Sequence, residues 1–177
     1  MNQKQLLRNQ LRNNRKSVDD KQRVVAEALI CSYLKRFIRR DMKIAVYRAI
    51  GSEVRLNNFI RMALRRGAKI FEPVIDVNSR RLWFVAWGST LYGHHTIKQR
   101  IENMDIVVLP LLGVDESGMR LGQGGGYYDT SLSFCKKRKP LRIGVGFACQ
   151  MVEFLPSDAH DERLNAFVCE MGVKFFK

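Results

Sequence analysis

The chain has 177 residues, of which 46% are hydrophobic, 10% aromatic and 27% charged. These proportions exclude a disordered chain and a cross-linked miniprotein, and predict one globular domain over residues 1–177 that buries roughly 70% of its unfolded surface. Thirty-one Lys and Arg against 17 Asp and Glu give a formal net charge of +14, so the expected partner or substrate is an anion, whether nucleic acid, nucleotide, polyphosphate or polyglutamate.

The amino-terminal stretch MNQKQLLRNQLRNNRK is charged throughout and has no apolar signal region, and no later run reaches 18 apolar residues, so neither export nor membrane spanning is expected. Residues 3–15 read as a basic helix with Leu7 and Leu11 on one side. Ser17 offers an N-cap, with Asp20 three residues on, to a second helix striped by Val25, Leu29, Ile30, Leu34, Phe37 and Ile38. Lys43–Ile50 as a strand, Asn57–Arg66 as a helix stopped by Gly67 and Lys69–Ile75 as a strand make a βαβ unit with parallel neighbours. Leu82–Trp87 is a further strand in which Trp83 and Trp87 are expected to pack. Residues 88–104 are read as a loop with a short helix, and His94 and His95 within it as exposed. Asp105–Pro110 is a continuous apolar run of the kind buried on both sheet faces, and Ile143–Phe147 and Ala166–Cys169 add two more strands. The alternation predicts an α/β fold: three layers, a largely parallel open sheet, and helices on both faces in the Rossmann manner. Cys31, Cys135, Cys149 and Cys169 show no metal-ligand spacing. They read as buried thiols in a reducing, cytoplasmic compartment.

The densest chemistry lies in residues 111–129, LLGVDESGMRLGQGGGYYD, which hold six glycines between a buried strand and a helix starting near Tyr127. Clustered glycines let several backbone N–H groups converge on one point, and at a strand end this suits phosphate oxygens. Neither GxxxxGK[ST] nor GxGxxG is satisfied, so the pattern alone leaves a phosphate site and a structural turn both open.

RLGQGGGYYD at residues 120–129 closely resembles the signature of the 5-formyltetrahydrofolate cyclo-ligase family, also called 5,10-methenyltetrahydrofolate synthetases. The resemblance extends to Pro110, Asp115 and Gly118 before it, to Lys4 and Arg8, to Tyr47, Glu53 and Val54, and to Gln150, Pro156, His160 and Asp161. It implies a ligase of one-carbon metabolism that uses ATP and Mg²⁺ to convert 5-formyltetrahydrofolate to 5,10-methenyltetrahydrofolate, acting as a monomer on small-molecule substrates. By the same resemblance Lys4 and Arg8 bind ATP, as do Arg120, Leu121, Gly122, Gln123, Gly124, Gly125, Gly126, Tyr127 and Tyr128. Arg120, Gly124 and Tyr128 serve the reaction; Glu53, Gly122, Gly124 and Gly126 contact folate. Asp129 and Asp161 hold Mg²⁺, the alternative for Asp129 being a helix N-cap, and His160 shapes the metal site or is a bystander. Tyr47 lines the cleft or packs in the core. Gln123 stands where the family usually has Tyr or Arg, Leu56 and Asn165 depart from Thr and Asp, and residues 88–104 lack the usual Gly-Ile-x-Glu-Pro. Two other readings remain: a basic nucleic-acid-binding protein, and a folate-binding homologue without catalysis.

Overall fold

Asp19, rather than Ser17, starts the second helix: its carboxylate accepts the backbone N–H groups of Lys21 at 3.0 Å and Gln22 at 3.2 Å, two donors that a helix leaves unpaired in its first turn. The computed structural model describes residues 3–76, 78–89, 97–135, 140–158 and 161–176. Helix α1 spans Gln3–Lys16 and α2 spans Asp20–Leu34. The buried side of α2 is Arg23, Ala26, Ile30, Cys31 and Leu34. Val25 and Leu29 of the expected stripe lie outside it and are exposed. The difference has a cause in Arg23: its guanidinium is drawn inward by the carbonyls of Arg15 (2.9 Å) and Ser52 (2.8 Å) and sits over the Phe147 ring, which turns the helix away from a purely hydropathic orientation.

Strand β1 is Lys43–Ala45, shorter than the expected eight residues. Beyond it the chain leaves the ladder after one more bond, from Val46 N–H to Phe71 C=O. Helix α3 (Asn57–Arg65), β2 (Lys69–Asp76) and β3 (Arg81–Ala86) follow, then β4 (Ile106–Pro110), a hairpin of β5 (Gly113–Val114) and β6 (Arg120–Leu121), α4 (Tyr127–Leu132), β7 (Leu141–Val145), β8 (Ala166–Cys169) and β9 (Gly172–Phe175). The main sheet runs β3-β2-β1-β4-β7-β8-β9. Its five inner strands pair in parallel and each edge is an antiparallel partner, so the expected α/β architecture holds.

Two cores pack on opposite faces. One gathers α2 and α3 over Ile44, Ile70, Val108, Ile143 and Val168; the other gathers α4 over Val107, Leu109 and Phe167. As expected, β4 is buried on both sides. The sequence pattern missed β9 and the β5–β6 hairpin, whose strands are too short or too exposed to alternate visibly. Of the four thiols, Cys31 and Cys169 are buried, whereas Cys135 is half-buried and Cys149 exposed. His94, His95 and His160 lie outside the described residues.

Chain order reverses between β1 and β4: from β1 the chain moves out through β2 to β3, then returns to β1's other side as β4. In parallel α/β sheets the crevice at such a switch, beyond the carboxyl ends of the strands, is where ligands lodge.

Candidate functional site

That crevice is a cleft of about 1040 Å³. Tyr47, Arg48 and Glu53 reach it from beyond β1, Glu72 and Pro73 from β2, and Pro110 from the end of β4. The 120–129 segment forms the facing wall, and Lys4 and Arg8 of α1 close it. Among the described residues, those expected to bind or react all line this cleft: Lys4, Arg8, Glu53, Arg120, Leu121, Gly122, Gln123, Gly124, Gly125, Gly126, Tyr127, Tyr128, Asp129 and Asp161. Tyr47 does double duty. It lines the cleft yet is 4% exposed, its hydroxyl donating to Val54 C=O at 2.8 Å, and burial together with the Glu53 charge pushes its phenol well above the usual range.

Helix α1 reaches the site because Leu11 docks on Gly113: a Cβ there would come within 2.6 Å of the leucine's Cδ1. With Leu11 buried against Leu112, Leu121 and Leu155, Lys4, Arg8 and Arg12 fall at four-residue spacing on one side of the helix. Arg8 donates from Nε to Gly122 C=O at 3.1 Å, and Arg12 donates to Gln123 Oε1 at 3.0 Å. Gly124, with φ of +105°, lies so close to the Arg8 guanidinium that an added Cβ would be 3.4 Å from its Cζ. A side chain there would be strained by both backbone and neighbour. Gly126, at φ +69°, is the N-cap of α4, which leaves Asp129 free of the capping role. Helix α4 is only six residues long, so any anion held here would depend on the cations more than on a helix dipole, a shift from the expectation.

Arg120 is buried at 8% exposure. One Nη donates to Asp129 Oδ1 at 2.7 Å, while its Nε is a buried donor without a partner among the described residues. Such a donor costs about 1–3 kcal/mol if left unpaired, and a phosphate oxygen is the acceptor chemistry it suits. Tyr128 packs its ring 5.8 Å from the same guanidinium. Burial raises its phenol pKa, with Arg120 opposing and Glu53 adding to the rise, so it remains a neutral hydrogen-bond donor.

Asp129 and Asp161 share one rim. Asp129 also accepts from the Glu162 backbone at 3.4 Å, and Asp161 accepts from Lys4 Nζ at 2.9 Å and from the Asp158 backbone at 2.7 Å. No three metal-ligating side chains gather among the described residues. Asp129 and Asp161 offer carboxylate oxygens, the donor chemistry that a hard cation such as Mg²⁺ takes. Lys4 is also gripped by Asp158 at 2.6 Å. Burial works against its charge, but the two aspartates outweigh this and hold its pKa above the ordinary 10.5. The stabilisation from this raised pKa is complete below that ordinary value and fades as pH climbs through the folded one.

Glu53 is 6% exposed, and both its oxygens are engaged: Ile50 N–H at 3.0 Å, Gln123 Nε2 at 3.3 Å and Arg15 Nη1 at 3.7 Å. Gln123, which stands where the family usually has Tyr or Arg, bridges Arg12 and Glu53.

Several contributors escaped sequence reasoning. Arg15 is buried at 4% exposure and donates to Leu111 C=O and Ser52 Oγ; within so basic a helix, nothing marked it. Asp158 lies in no recognisable motif. Asp115 and Gln150 matched motifs without a role. The first fastens the β5–β6 turn through Ser117, Met119 and Leu155 N–H groups. The second ties the Leu111 and Leu112 carbonyls to Phe147.

Fold and site together define a doubly wound α/β protein with a large cation- and glycine-walled cleft at its switch point. The sequence profile of the 5-formyltetrahydrofolate cyclo-ligase family matches residues 1–170, and the chain belongs to that family. It is 25% identical over 175 residues to the 5-formyltetrahydrofolate cyclo-ligase of Haemophilus influenzae, covering 89% of this chain and 92% of that one. Its fold matches a 5,10-methenyltetrahydrofolate synthetase from Mycoplasma pneumoniae with a TM-score of 0.81 at 23% identity, over 96% of this chain and 99% of the other. The corresponding synthetase of Aquifex aeolicus gives 0.77 at 25% identity, over 98% and 93%. No helix among the described residues is long and apolar enough to cross a membrane.

Proposed function

We propose that this protein is a cytoplasmic, monomeric enzyme that converts 5-formyltetrahydrofolate to 5,10-methenyltetrahydrofolate, using ATP and Mg²⁺ and releasing ADP and phosphate. A formamide carbonyl is a poor electrophile and its oxygen a poor leaving group. Transfer of the γ-phosphoryl group to the formyl oxygen gives an iminium phosphate; N10 attacks its carbon, and phosphate departs as the ring closes. Phosphoryl transfer of this kind demands positioning and charge neutralisation more than covalent participation by the protein.

The observation that carries the reading is the buried Arg120, its Nε without a partner among the described residues and its Nη1 3.3 Å from where a Cβ on Gly122 would sit, beside a glycine loop already clasped by Arg8. Arg120 and Arg8, with Lys4, would hold the triphosphate, and Gly122–Gly126 would let it approach the backbone where the formyl group meets the γ-phosphate. Asp129 and Asp161 would hold Mg²⁺, which when bound neutralises charge on the transferring phosphate. Lys4 and Arg120 now pair with these carboxylates; on ligand binding each cation would turn to phosphate. Tyr128, kept neutral by burial, would donate to a ligand oxygen, and Glu53 would accept paired N–H donors of the pterin edge once Gln123 lets go. The four cysteines, all unpaired, agree with a reducing compartment.

The test mixes purified protein with 5-formyltetrahydrofolate, Mg²⁺ and ATP and follows absorbance of the methenyl product, omitting each component in turn. Product is expected only from the complete mixture. Product without ATP, or none from the full mixture, overturns the reading.

A further inference from the structure

The cleft uses few of the cations that make up the +14 charge. At the opposite edge of the sheet, where β1 and β2 begin with Lys43 and Lys69, a second cationic surface is assembled from the ends of α2 and α3. Lys35, Arg36, Arg39, Arg40, Arg66 and Lys69 are all exposed there, and none lines the cleft. Direct contacts connect Lys35 with Arg66, and Arg40 with Lys69 through Asp41. Arg66 donates to Lys35 C=O at 3.3 Å. The Arg40 stem packs on Gly67, 3.1 Å from where a Cβ would sit. Asp41 lies between Arg40 at 3.9 Å and Lys69 at 3.7 Å, and so offsets one of the six charges.

The same edge carries a ring. β9 runs antiparallel to β8, so its last residue, Phe175, returns to the sheet's amino edge opposite Ala166. Phe175 is 59% exposed and stands on Phe37, with centroids 6.2 Å apart and planes inclined by 59°. The Arg36 guanidinium lies 6.0 Å from its centroid. An exposed aromatic with one guanidinium beside it, on an edge where three further arginines are exposed, is an arrangement suited to stacking a nucleobase while neighbouring cations follow the phosphates. Four of the six cations are arginines, which stack on bases and pair bidentately with phosphate, rather than point-charge lysines suited to a lipid headgroup layer.

We infer that this edge is a docking face for single-stranded RNA, separate from the cleft and independent of the activity proposed above. Phe175 takes one base, and Arg36, Arg39, Arg40 and Arg66 hold the backbone on either side.

The experiment titrates the full chain into fluorescein-labelled twelve-nucleotide oligo-U and reads anisotropy between 50 and 300 mM KCl (roughly the range over which counterion release is resolved). Saturable binding is expected, with the logarithm of affinity falling linearly against the logarithm of salt. In the quadruple variant R36A/R39A/R40A/R66A this slope should flatten by about 3, from four lost phosphate contacts at ~0.7 each, with unchanged methenyl production and an unchanged circular dichroism spectrum. F175A should bind about 10-fold more weakly at every salt. If the quadruple variant misfolds, R39E/R40E, two exposed positions, replaces it with the same expectation for binding. The inference is overturned if no saturable binding occurs near physiological salt, if the variants bind like the parent, if saturating ATP displaces the RNA and so places it in the cleft, or if the chain prefers phosphatidylserine vesicles to RNA in cosedimentation.

Discussion

The two walls of the cleft are built by opposite means. On the strand side, Tyr47 and Glu53 are fixed by bonds that a ligand does not need to disturb: the tyrosine to Val54 C=O, the glutamate to Ile50 N–H and toward Arg15. On the loop side, Lys4 faces Asp158 and Asp161, Arg120 faces Asp129, and Gln123 spans Arg12 and Glu53. A wall of backbone-anchored groups supplies shape, whereas a wall of ion pairs and glycine supplies charges that change partners. The Lys4 and Arg120 side chains are largely buried in these pairs, so a carboxylate that lets go must be replaced by another anion, the part a phosphate would play.

Removing Arg120 is the sharpest way to break this contrast. Arg120→Ala should lower kcat/KM by about 10³-fold, the scale of losing a buried electrostatic donor, and Arg120→Lys should not restore it because a point ammonium cannot reproduce the fork; steady-state kinetics on both variants reads this out. Near-parental activity would mean the loop wall is not where reaction occurs. On the strand side the largest effect should fall on stability. Arg15→Ala removes the buried cation beside Glu53 and one of two donors to the Leu111 carbonyl, and should cost about 3 kcal/mol or more in urea unfolding, as expected when one partner of a buried pair is removed. Next, Asp129→Ala should reduce Mg²⁺-dependent turnover about 10²-fold while the chain stays folded, an effect sized to one lost charge at a phosphoryl-transfer site. Full turnover would refute the metal assignment. The smallest change sharpens the boundary between the walls: Gln123→Ala releases Glu53 Oε1 and should lower KM for 5-formyltetrahydrofolate about 3-fold, the size of one modest hydrogen bond, with KM for ATP unmoved.

Much of this plan was legible beforehand, for reasons that differ by element. The βαβ unit, β4 and α3 follow from hydropathy alone, because strands buried on both faces read as continuous apolar runs. The glycine segment advertised an unusual backbone but, without the family resemblance, no reaction. What stayed hidden depends on partners distant in sequence. Arg15 and Arg23 look like any solvated cation on a basic helix until Leu111, Ser52 and Phe147 draw them inward, and burying Arg23 rotates α2 so that Val25 and Leu29 face outward. Asp19 outcompeted Ser17 as a cap by two positions, within the usual uncertainty of helix boundaries. The bridge from Gln123 to Arg12 and Glu53 spans three separate segments and so left no mark in the sequence.

The docking of α1 has a consequence for the nascent chain. Lys4 is separated from Asp161 by 157 residues and Arg8 from Gly122 by 114, so α1 is synthesised well before the segments it docks against. At about 5–20 residues per second that interval is on the order of 10 s. A lone helix of 14 residues is at best marginally stable in water. Until the segments carrying Gly122 and Asp161 are made, this cationic helix is unanchored and open to proteases and to any polyanion nearby, and the cleft closes only when they dock on it.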